Sequence, residues 1–210
     1  MSIWAEQFGR DYTDRNSLSL HELDALYKTN YGVTRRQLNE NFLKDIPFAA
    51  RILEVGCNIG NQLLLLQRMG YSQLYGIELQ HYALLRARLR LMNVHLIEAS
   101  ALEIPFADNS FDVVFTSGVL IHIAPPELSQ AMAEIRRCTR KYIWGLEYYA
   151  SETSEVNYRG HDSLLWKMDY ANLYLERFTD LELSRCDRLS YMDSDKEDCM
   201  FLLRKKEERR

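Results

Sequence analysis

Eight residues decide the fold of this 210-residue chain: Glu54-Val55-Gly56-Cys57-Asn58-Ile59-Gly60-Asn61. They begin within a short strand-like run, Arg51–Val55, and lead into a leucine-rich segment with helical periodicity, Asn61–Met69. Glycines between a strand and a helix let the backbone turn tightly and approach a ligand closely where the helix begins. The spacing is not GxGxxG, so a pyrophosphate cradle, and with it a nicotinamide-dependent oxidoreductase, is disfavoured.

Strand-like and helical segments alternate after this loop. The alternation predicts an α/β fold with a Rossmann-like, mostly parallel sheet and crossover helices, followed by an antiparallel C-terminal hairpin. In such a sheet the ligand lies beyond the carboxyl ends of the strands. The predicted strands are 51–55, 73–77, 94–97, 111–115, 141–149 and the hairpin 181–191 with 198–203; the predicted helices are 61–69, 81–92, 125–137 and 160–178.

The residues before the first strand predict a separate helical element. Ser19 and Glu22 have the spacing of a capping box, and leucines follow them at helical intervals. We therefore expect residues 1–46 to form a helical lid over the ligand edge, and residues 47–210 to form the sheet domain. The two parts are expected to make one compact domain.

Composition and charge exclude several classes of protein. With 47% hydrophobic and 27% charged residues the chain is expected to be globular, and its net charge of −4 disfavours a nucleic-acid partner. No apolar run approaches the roughly 18 residues of a membrane span. The four cysteines share no CxxC spacing and no secretory signal precedes them, which predicts reduced thiols in the cytoplasm. The five histidines have no metal-ligand spacing, so no metal site is expected.

The ends of the next strands carry residues that fit a nucleoside. Glu78 ends the second predicted strand, 18 residues after Gly60, where an acid accepts hydrogen bonds from ribose hydroxyls. Ser100 and Ala101 follow the third strand, where a polar group can reach an adenine amino group and a small side chain leaves room for the ring. The fourth strand leads into Ser117 and His122.

Taken in order, these pieces resemble the class I S-adenosylmethionine-dependent methyltransferases, from about residue 51 to residue 149. The resemblance implies S-adenosyl-L-methionine as cofactor, S-adenosyl-L-homocysteine as product and an enzyme of the methyltransferase class. It assigns the first loop to the methionine part, the acid after strand two to the ribose and the loop after strand three to adenine. The predicted cofactor contacts are Tyr12, Glu54, Gly56, Asn58, Gly60, Asn61, Glu78, Leu79, Ser100, Ala101 and Ser117.

Two positions depart from the family pattern. Asn58 stands where the family commonly has a third glycine, and asparagine tolerates a left-handed backbone, so the turn is expected to survive. Ser100 stands where an adenine-facing aspartate is common.

Further strings resemble the small methylases found with pseudaminic acid biosynthesis genes, nearly from end to end. They are Phe8-Gly9-Arg10-Asp11-Tyr12-Thr13-Asp14-Arg15-Asn16 after Trp4, Gly118 to Pro125, Tyr142 to Tyr149, and Glu155-Val156-Asn157-Tyr158-Arg159-Gly160-His161. Residues 150–154 lack the prolines expected there, and this loop is expected to border the acceptor pocket. The resemblance implies a sialic-acid-like amino sugar, or its nucleotide-activated form, as acceptor.

The acceptor side of the site is predicted from residue chemistry. Trp4, Phe8 and Tyr12 recur every four residues as one helical stripe, which either packs on the domain or closes over the cofactor and the acceptor. Carboxylates and imidazoles near a nucleophile can take its proton. The predicted catalytic residues are Glu147, His122 and Tyr149, and the predicted acceptor-binding residues are Asp11, Tyr12, Arg15, Glu147, Tyr148, Glu155, Tyr158, Arg159 and His161.

Three functions remain open at this point. The first is methyl transfer to N or O of a small polar metabolite, with the amino sugar as its acceptor. The second is N-methylation of a free amino acid such as arginine, held by Glu147 and Glu155 with Arg159 on the carboxylate. The third is a binding module without activity. A small-molecule acceptor, no membrane, no nucleic acid, and a monomer or homodimer are expected in each case.

Overall fold

The computed structural model describes residues 3–206, which alternate between strands and helices as the sequence predicts. Residues up to Pro105 form one compact unit and residues from Phe106 form a second. The boundary predicted between residues 46 and 47 stays a prediction. The helices are α1 Gln7–Arg15, α2 Leu20–Tyr31, α3 Arg35–Phe42, α4 Asn61–Met69, α5 His81–Arg90, α6 Pro125–Cys138 and α7 Tyr170–Arg177, with 3-10 turns at Ile3–Ala5 and Leu120–His122. The strands are β1 Arg51–Val55, β2 Gln73–Glu78, β3 His95–Glu98, β4 Phe111–Ser117, β5 Thr139–Tyr148, β6 Ser154–Glu155, β7 Trp166–Lys167, β8 Leu181–Ser190 and β9 Glu197–Lys205.

The first unit contains three parallel strands in the order β3-β2-β1. Val55 lies opposite Ile77, and Ile77 lies opposite Ile97, so the three strands end at the same level. Helix α4 connects β1 to β2 and buries Leu63 and Leu66 completely, which is the face that its leucine periodicity predicts. The carboxyl ends of three strands are therefore brought to one edge.

The N-terminal helices of the first unit begin at strong caps. The side chains of Ser19 and Glu22 form the predicted capping box at the start of α2. Thr34 and Gln37 form a second capping box at the start of α3. The helical character predicted for residues before the first strand is confirmed within the described range.

The second unit continues with β4 parallel to β5, while β9 runs antiparallel to β5 and β8 runs antiparallel to β9. Helix α6 connects β4 to β5, with prolines in its first turn and Glu127 beside them. In the first unit β1, β2 and β3 pair in parallel, and in the second unit β4 pairs in parallel with β5. Strands β8 and β9 form the antiparallel hairpin. The predicted α/β architecture with its C-terminal hairpin is confirmed.

One predicted helix is wrong over its first half. Residues 160–169 are not helical; the short strands β6 and β7 pair across this region, and α7 begins only at Tyr170, after Asp169 caps it. Arg159, Gly160 and Ser163 all have positive φ angles, which an α-helix does not allow. The aromatic stripe is also interrupted, because Trp4 lies in a 3-10 turn before α1.

Within residues 3–206 no helix combines the length and the apolar character that crossing a membrane requires.

Candidate active site

The first unit gathers three loops at the carboxyl edge of its strands. The N–H groups of Gly56 and Cys57 both donate to the Ile77 carbonyl at 2.9 Å, which ties the loop after β1 to the end of β2. The N–H group of Ala99 donates to the Glu78 carbonyl at 3.1 Å, which ties β2 to the loop after β3. These hydrogen bonds place the three predicted cofactor loops side by side.

The loop between β1 and α4 has the backbone that its glycines and asparagine predict. Gly56, Asn58 and Gly60 have φ angles of 71°, 47° and 77°. Asn58 therefore occupies the left-handed region in place of a glycine, as expected. A Cβ atom on Gly60 would lie 2.4 Å from the Leu91 Cδ1 atom, so close packing as well as φ requires glycine there.

Glu78 is held rigidly at the end of β2. Its Oε2 atom accepts from the Asn58 N–H and its Oε1 atom accepts from the Gln80 N–H, both at 2.8 Å. Burial raises the pKa of Glu78 from its ordinary value, and these backbone hydrogen bonds act in the opposite direction. The carboxylate is partly buried, so its remaining lone pairs can accept from a bound hydroxyl.

Glu54 is the most deeply buried acid of the predicted cofactor set, with 3% of its surface exposed. Burial raises its pKa well above the usual range, while the positive charge of Arg35 and a backbone hydrogen bond from Leu63 lower it. Its Oε2 atom is buried and accepts no hydrogen bond. A donor that reached this oxygen would stabilise the carboxylate.

Two further buried oxygens close to Glu54 in the chain also accept no hydrogen bond: Oδ1 of Asn58 and Oδ1 of Asn61. A buried acceptor without a donor is costly and requires an explanation. An ammonium group has donors only and would satisfy such oxygens. The loop therefore fits the charged amino group at the methionine end of S-adenosylmethionine, and Glu78 fits its ribose.

Arg35 on α3 was missed by the sequence analysis. Its surface is completely buried, its Nε atom donates to Asn39 Oδ1 at 2.9 Å and its Nη1 atom donates to the Tyr27 hydroxyl at 2.7 Å. Asn39 in turn donates to Gln62 Oε1 at 3.4 Å, in the first turn of α4. We call Arg35, Asn39, Glu54 and Gln62 the buried polar cluster. No sequence pattern distinguishes Arg35 from its exposed neighbour Arg36.

The N-terminal segment is attached directly to the predicted cofactor loops. Gln80, which follows Glu78 closely, donates through its side chain to the Trp4 and Glu6 carbonyls at 3.2 and 2.9 Å. A Cβ atom on Gly9 would lie 1.8 Å from the Trp4 oxygen, so glycine allows this close approach. Gln80 was also missed, because its role depends on a contact 74 residues away in the chain.

The predicted lid residues occupy different environments. Tyr12 is partly buried, and its ring meets Trp4 edge to face with 5.4 Å between the centroids. Asp11 is exposed and accepts from Gln7 at 2.7 Å, and Arg15 is exposed at the end of α1. Asp14 forms an ion pair with Arg86 and accepts from Tyr82. Helix α1 is therefore fixed to α5 through its charged face.

Two residues separate β2 from α5, and residues 99–110 separate β3 from β4. Leu79 is partly buried between Glu78 and Gln80, and Ala101 is partly buried in the turn after β3. The Ser100 hydroxyl accepts from the Leu102 N–H at 3.1 Å, which shapes that turn and leaves the hydroxyl proton to be donated.

In the second unit, Glu147 stabilises the turn that follows β4. It is 1% exposed, and its carboxylate accepts from the Val119 N–H at 3.0 Å and from the Ile121 N–H at 3.3 Å. Burial raises the pKa of Glu147 to about 7, although hydrogen bonds from Thr116 and the turn lower it. Ser117, just before this turn, is partly buried. The carboxylate thus accepts hydrogen bonds that stabilise this turn. Its catalytic role stays a prediction.

His122 lies at the end of the same turn. Its Nδ1 atom is 2.7 Å from the Leu164 carbonyl, which can only accept, so Nδ1 carries the proton and Nε2 keeps a lone pair. Burial lowers the pKa of His122 to about 4. The ring lies 5.2 Å from that of Tyr158. At neutral pH His122 is therefore an uncharged imidazole whose Nε2 atom carries a lone pair and is a weaker base than an exposed imidazole.

The hairpin β6–β7 carries four of the predicted acceptor residues. Glu155 is exposed and accepts from Ser163 through its backbone and hydroxyl groups. Tyr158 and His161 exchange backbone hydrogen bonds across a tight turn. Arg159, in the turn, is exposed, has a φ of 54° and lies over the Tyr158 ring at 6.0 Å.

Two tyrosines at the end of β5 lie under cations. The Lys167 ammonium lies 5.9 Å from the Tyr148 ring centroid, and the Arg188 guanidinium covers the Tyr149 ring. Both tyrosines are partly buried. The structure therefore brings Glu147, His122 and Tyr158 together around one turn and leaves Tyr149 facing β8.

Comparison with known families finds a match in the central part of the chain. Residues 53–142 match the family described as methyltransferase domain. The match covers 90 of the 210 residues, from the middle of β1 to the first residues of β5. The match supports the predicted methyltransferase class and, with it, S-adenosylmethionine as cofactor.

Curated proteins with similar sequences come from different organisms. A protein of Encephalitozoon cuniculi that is named as a methyltransferase is 28% identical over 151 residues, which are 69% of this chain and 65% of that protein. The 24-methylenesterol C-methyltransferase 2 of Arabidopsis thaliana is 31% identical over 93 residues, which are 41% of this chain and 25% of that protein. The chain spans less than two thirds of the length of either relative.

Solved structures share the fold of the whole chain. The PH0226 protein of Pyrococcus horikoshii superposes with a TM-score of 0.70 at 18% identity, over 96% of this chain and 99% of that chain. The 1,6-didemethyltoxoflavin-N1-methyltransferase of Burkholderia thailandensis, with its acceptor and S-adenosylhomocysteine bound, superposes with a TM-score of 0.72 at 14% identity, over 98% and 88%. The predicted Rossmann-like methyltransferase fold is confirmed.

Proposed function

We propose that this chain is an S-adenosylmethionine-dependent methyltransferase that transfers a methyl group to N or O of a small polar metabolite. The observation that carries the proposal is Glu78, whose two carboxylate oxygens are fixed by the N–H groups of Asn58 and Gln80 beside a glycine-rich turn. A fixed acceptor of this kind recognises a ribose diol without reorganisation.

The first unit supplies the cofactor contacts in this proposal. Glu54, Asn58 and Asn61 receive the ammonium group, because each has a buried oxygen without a donor. Gly56 and Gly60 allow the close backbone approach, Leu79 and Glu78 hold the ribose, and Ser100 with Ala101 borders the adenine. Tyr12 completes the set in this unit. The bound cofactor supplies a sulfonium-activated methyl group; the protein must align the acceptor with it and exclude water.

The ribose assignment predicts a loss of cofactor affinity in Glu78→Ala. The lost hydrogen bonds are expected to cost roughly 1–3 kcal/mol, which is about a 5- to 150-fold increase in the Kd for S-adenosylmethionine. Isothermal titration calorimetry measures this directly. Glu98→Ala is the matched control, because Glu98 lies opposite Glu78 in the register but is exposed and bound to His81. Equal affinities in the two variants would contradict the assignment.

His122 acts as the general base on the acceptor in this proposal. Its Nδ1–H is fixed on the Leu164 carbonyl, which orients the Nε2 lone pair, and its lowered pKa keeps that lone pair free of a proton at pH 7. Tyr158 packs on the imidazole and orders the hairpin beside it. The acceptor N–H or O–H gives up its proton to Nε2 as the methyl group is transferred.

If His122 is the general base, His122→Asn is expected to lower kcat and to leave the Kd for the cofactor unchanged. The asparagine amide still donates to the Leu164 carbonyl but is not basic, so kcat is expected to fall about 100-fold with an unchanged cofactor Kd. The rate of the parent protein is expected to show no loss from His122 protonation between pH 8 and pH 6, since its pKa is about 4. His95→Asn, an exposed histidine on β3, serves as control. A kcat near the parental value would remove His122 from the mechanism.

The acceptor of this proposal is an amino sugar of the sialic-acid type or its nucleotide-activated form, as the resemblance to the pseudaminic acid-associated methylases suggests. Arg159 is exposed on the hairpin turn and suits the acceptor carboxylate, and His161 and Tyr148 supply polar contacts. N-methylation of arginine has less support, because Glu147 is enclosed by backbone N–H groups and is not open to a guanidinium. Glu155 is exposed, but its Oε1 atom already accepts from Ser163, so a single carboxylate oxygen is left for that role.

A methyl-transfer assay read by mass spectrometry tests the proposal. The protein and S-adenosylmethionine are incubated with nonulosonic acids and their nucleotide-activated forms, and separately with free amino acids including arginine. Addition of one methyl group to a sugar supports the proposed acceptor, and addition to arginine would replace it. Cofactor binding without transfer to any polar metabolite would favour a binding module.

A further inference from the structure

Two cysteines of the C-terminal hairpin lie against each other. In the register of β8 and β9, Cys186 lies opposite Phe201 and Arg188 lies opposite Cys199. Opposite residues point to the same face, as do alternate residues along a strand, so Cys186 and Cys199 share one face of the hairpin. Their Sγ atoms are 3.1 Å apart.

We propose that Cys186 and Cys199 are a modification site at which a peroxide forms a reversible disulfide. Each thiol loses one proton and one electron, an S–S bond forms, and the O–O bond of the peroxide is broken to give two molecules of water or, from an organic peroxide, water and an alcohol. A dithiol reductant reverses the reaction by exchange.

The two sulfurs have different environments that assign their roles. Cys186 is partly exposed, so its sulfur can reach the peroxide, whereas Cys199 is 3% exposed. The hydrogen bond between the thiols lowers the pKa of Cys186 and raises that of Cys199; Asp169 and Asp187 oppose ionisation of Cys186, and Arg188 favours ionisation of Cys199. Cys186 is therefore the attacking thiolate, and Cys199 then displaces water from the Cys186 sulfenic acid.

The bond would also matter for the proposed enzyme through its position. Cys199 lies opposite Glu147 in the register of β5 and β9, and Glu147 holds the turn that carries His122. Joining β8 to β9 at this point restrains the strand that flanks Glu147. This consequence rests on the proposed function, whereas the disulfide itself does not.

The other two cysteines provide internal references. Cys57 and Cys138 are buried, and their Sγ atoms lie near the backbone carbonyls of Asn58 and Phe106. Burial raises the pKa of both thiols, to about 11 for Cys138. They are expected to stay reduced under mild oxidation.

The test uses the full chain with hydrogen peroxide, and thiols are counted after denaturation. The count is expected to fall from four to two and to return to four with dithiothreitol. Digestion without reductant should give one cross-linked peptide pair joining Cys186 to Cys199. Oxidation should also raise the Tm, because the bond restricts the unfolded chain.

Substitutions of single cysteines show which two residues form the disulfide. Cys138→Ser is expected to fall from three thiols to one, whereas Cys186→Ser and Cys199→Ala should keep all three. The peptide map of the parent protein is independent of whether a variant folds. Sulfinic acid on Cys186 without a cross-link, or a linkage that involves Cys57 or Cys138, would overturn the proposal.

Discussion

Replacement of Arg35 by leucine is expected to lower the free energy of unfolding by about 3–5 kcal/mol, since it leaves Glu54 buried without its compensating cation. The guanidinium is completely buried, and its bonds to Asn39 and to the Tyr27 hydroxyl have short distances, so their loss adds to the cost. Urea unfolding at pH 7, monitored by circular dichroism, measures the change. The affinity for S-adenosylmethionine is expected to fall as well, because Glu54 would favour its neutral form.

Arg36→Leu is the matched control for this prediction. Arg36 follows Arg35 on the same helix, is about half exposed and pairs with Glu40 one turn later. Such a surface pair contributes roughly 0.3–0.5 kcal/mol. Equal destabilisation by the two substitutions would mean that the buried polar cluster adds nothing specific to the stability of the cofactor loop.

Most of the fold can be predicted because its signals are local. The loop from Gly56 to Gly60 follows an apolar strand and begins a leucine-rich helix, and a strand with Glu78 at its end follows at the expected distance. The alternation of strand-like and helical segments, together with the glycine turns, therefore predicts the order of the elements from local sequence alone. The helix predicted for residues 160–169 is wrong because their apolar spacing is compatible with a helix, whereas positive φ angles at Gly160 and Ser163 exclude it.

The contributions of Arg35 and Gln80 were not predictable for a different reason. Gln80 acts on carbonyls 74 and 76 residues away, and Arg35 acts through the burial of its guanidinium; neither belongs to a motif with fixed spacing. A buried arginine has the same sequence signature as an exposed one. Burial, and not residue type, therefore makes the difference between Arg35 and Arg36.

Glu147 illustrates how the same residue type acquires different chemistry. The sequence predicts a carboxylate at a strand end, which would ordinarily be ionised and available to an acceptor. In the structure it is enclosed by the N–H groups of Val119 and Ile121, and burial moves its pKa to about 7. A carboxylate with this pKa titrates in the range where the protein would be assayed, so its protonation affects the turn that carries His122.

The second large effect is therefore expected in the pH dependence of stability, and Glu147→Gln isolates it. The pKa of Glu147 is raised from an ordinary value of 4.5 to about 7, so the folded protein binds this proton more tightly than the unfolded chain. The stability from this group is complete below about pH 4.5 and is lost as the pH rises through 7, for a total of about 3 kcal/mol. Glutamine cannot lose a proton, so the variant should lack this decline.

Unfolding free energies of the parent and of Glu147→Gln, measured in urea from pH 5 to pH 8, test this expectation. The glutamine amide places N–H donors toward the Val119 N–H, which lowers the free energy of unfolding by roughly 1–3 kcal/mol at every pH. The variant should therefore be less stable than the parent at pH 5. At pH 8, where the parent has lost the contribution of Glu147, the two proteins should have similar stability. Glu54 and Glu78 titrate in both proteins and cancel in the difference. Glu155→Gln, an exposed carboxyl on the hairpin, should follow the parent curve. Parallel curves for the parent and Glu147→Gln would show that Glu147 is ionised throughout and that its enclosure by N–H groups outweighs its burial.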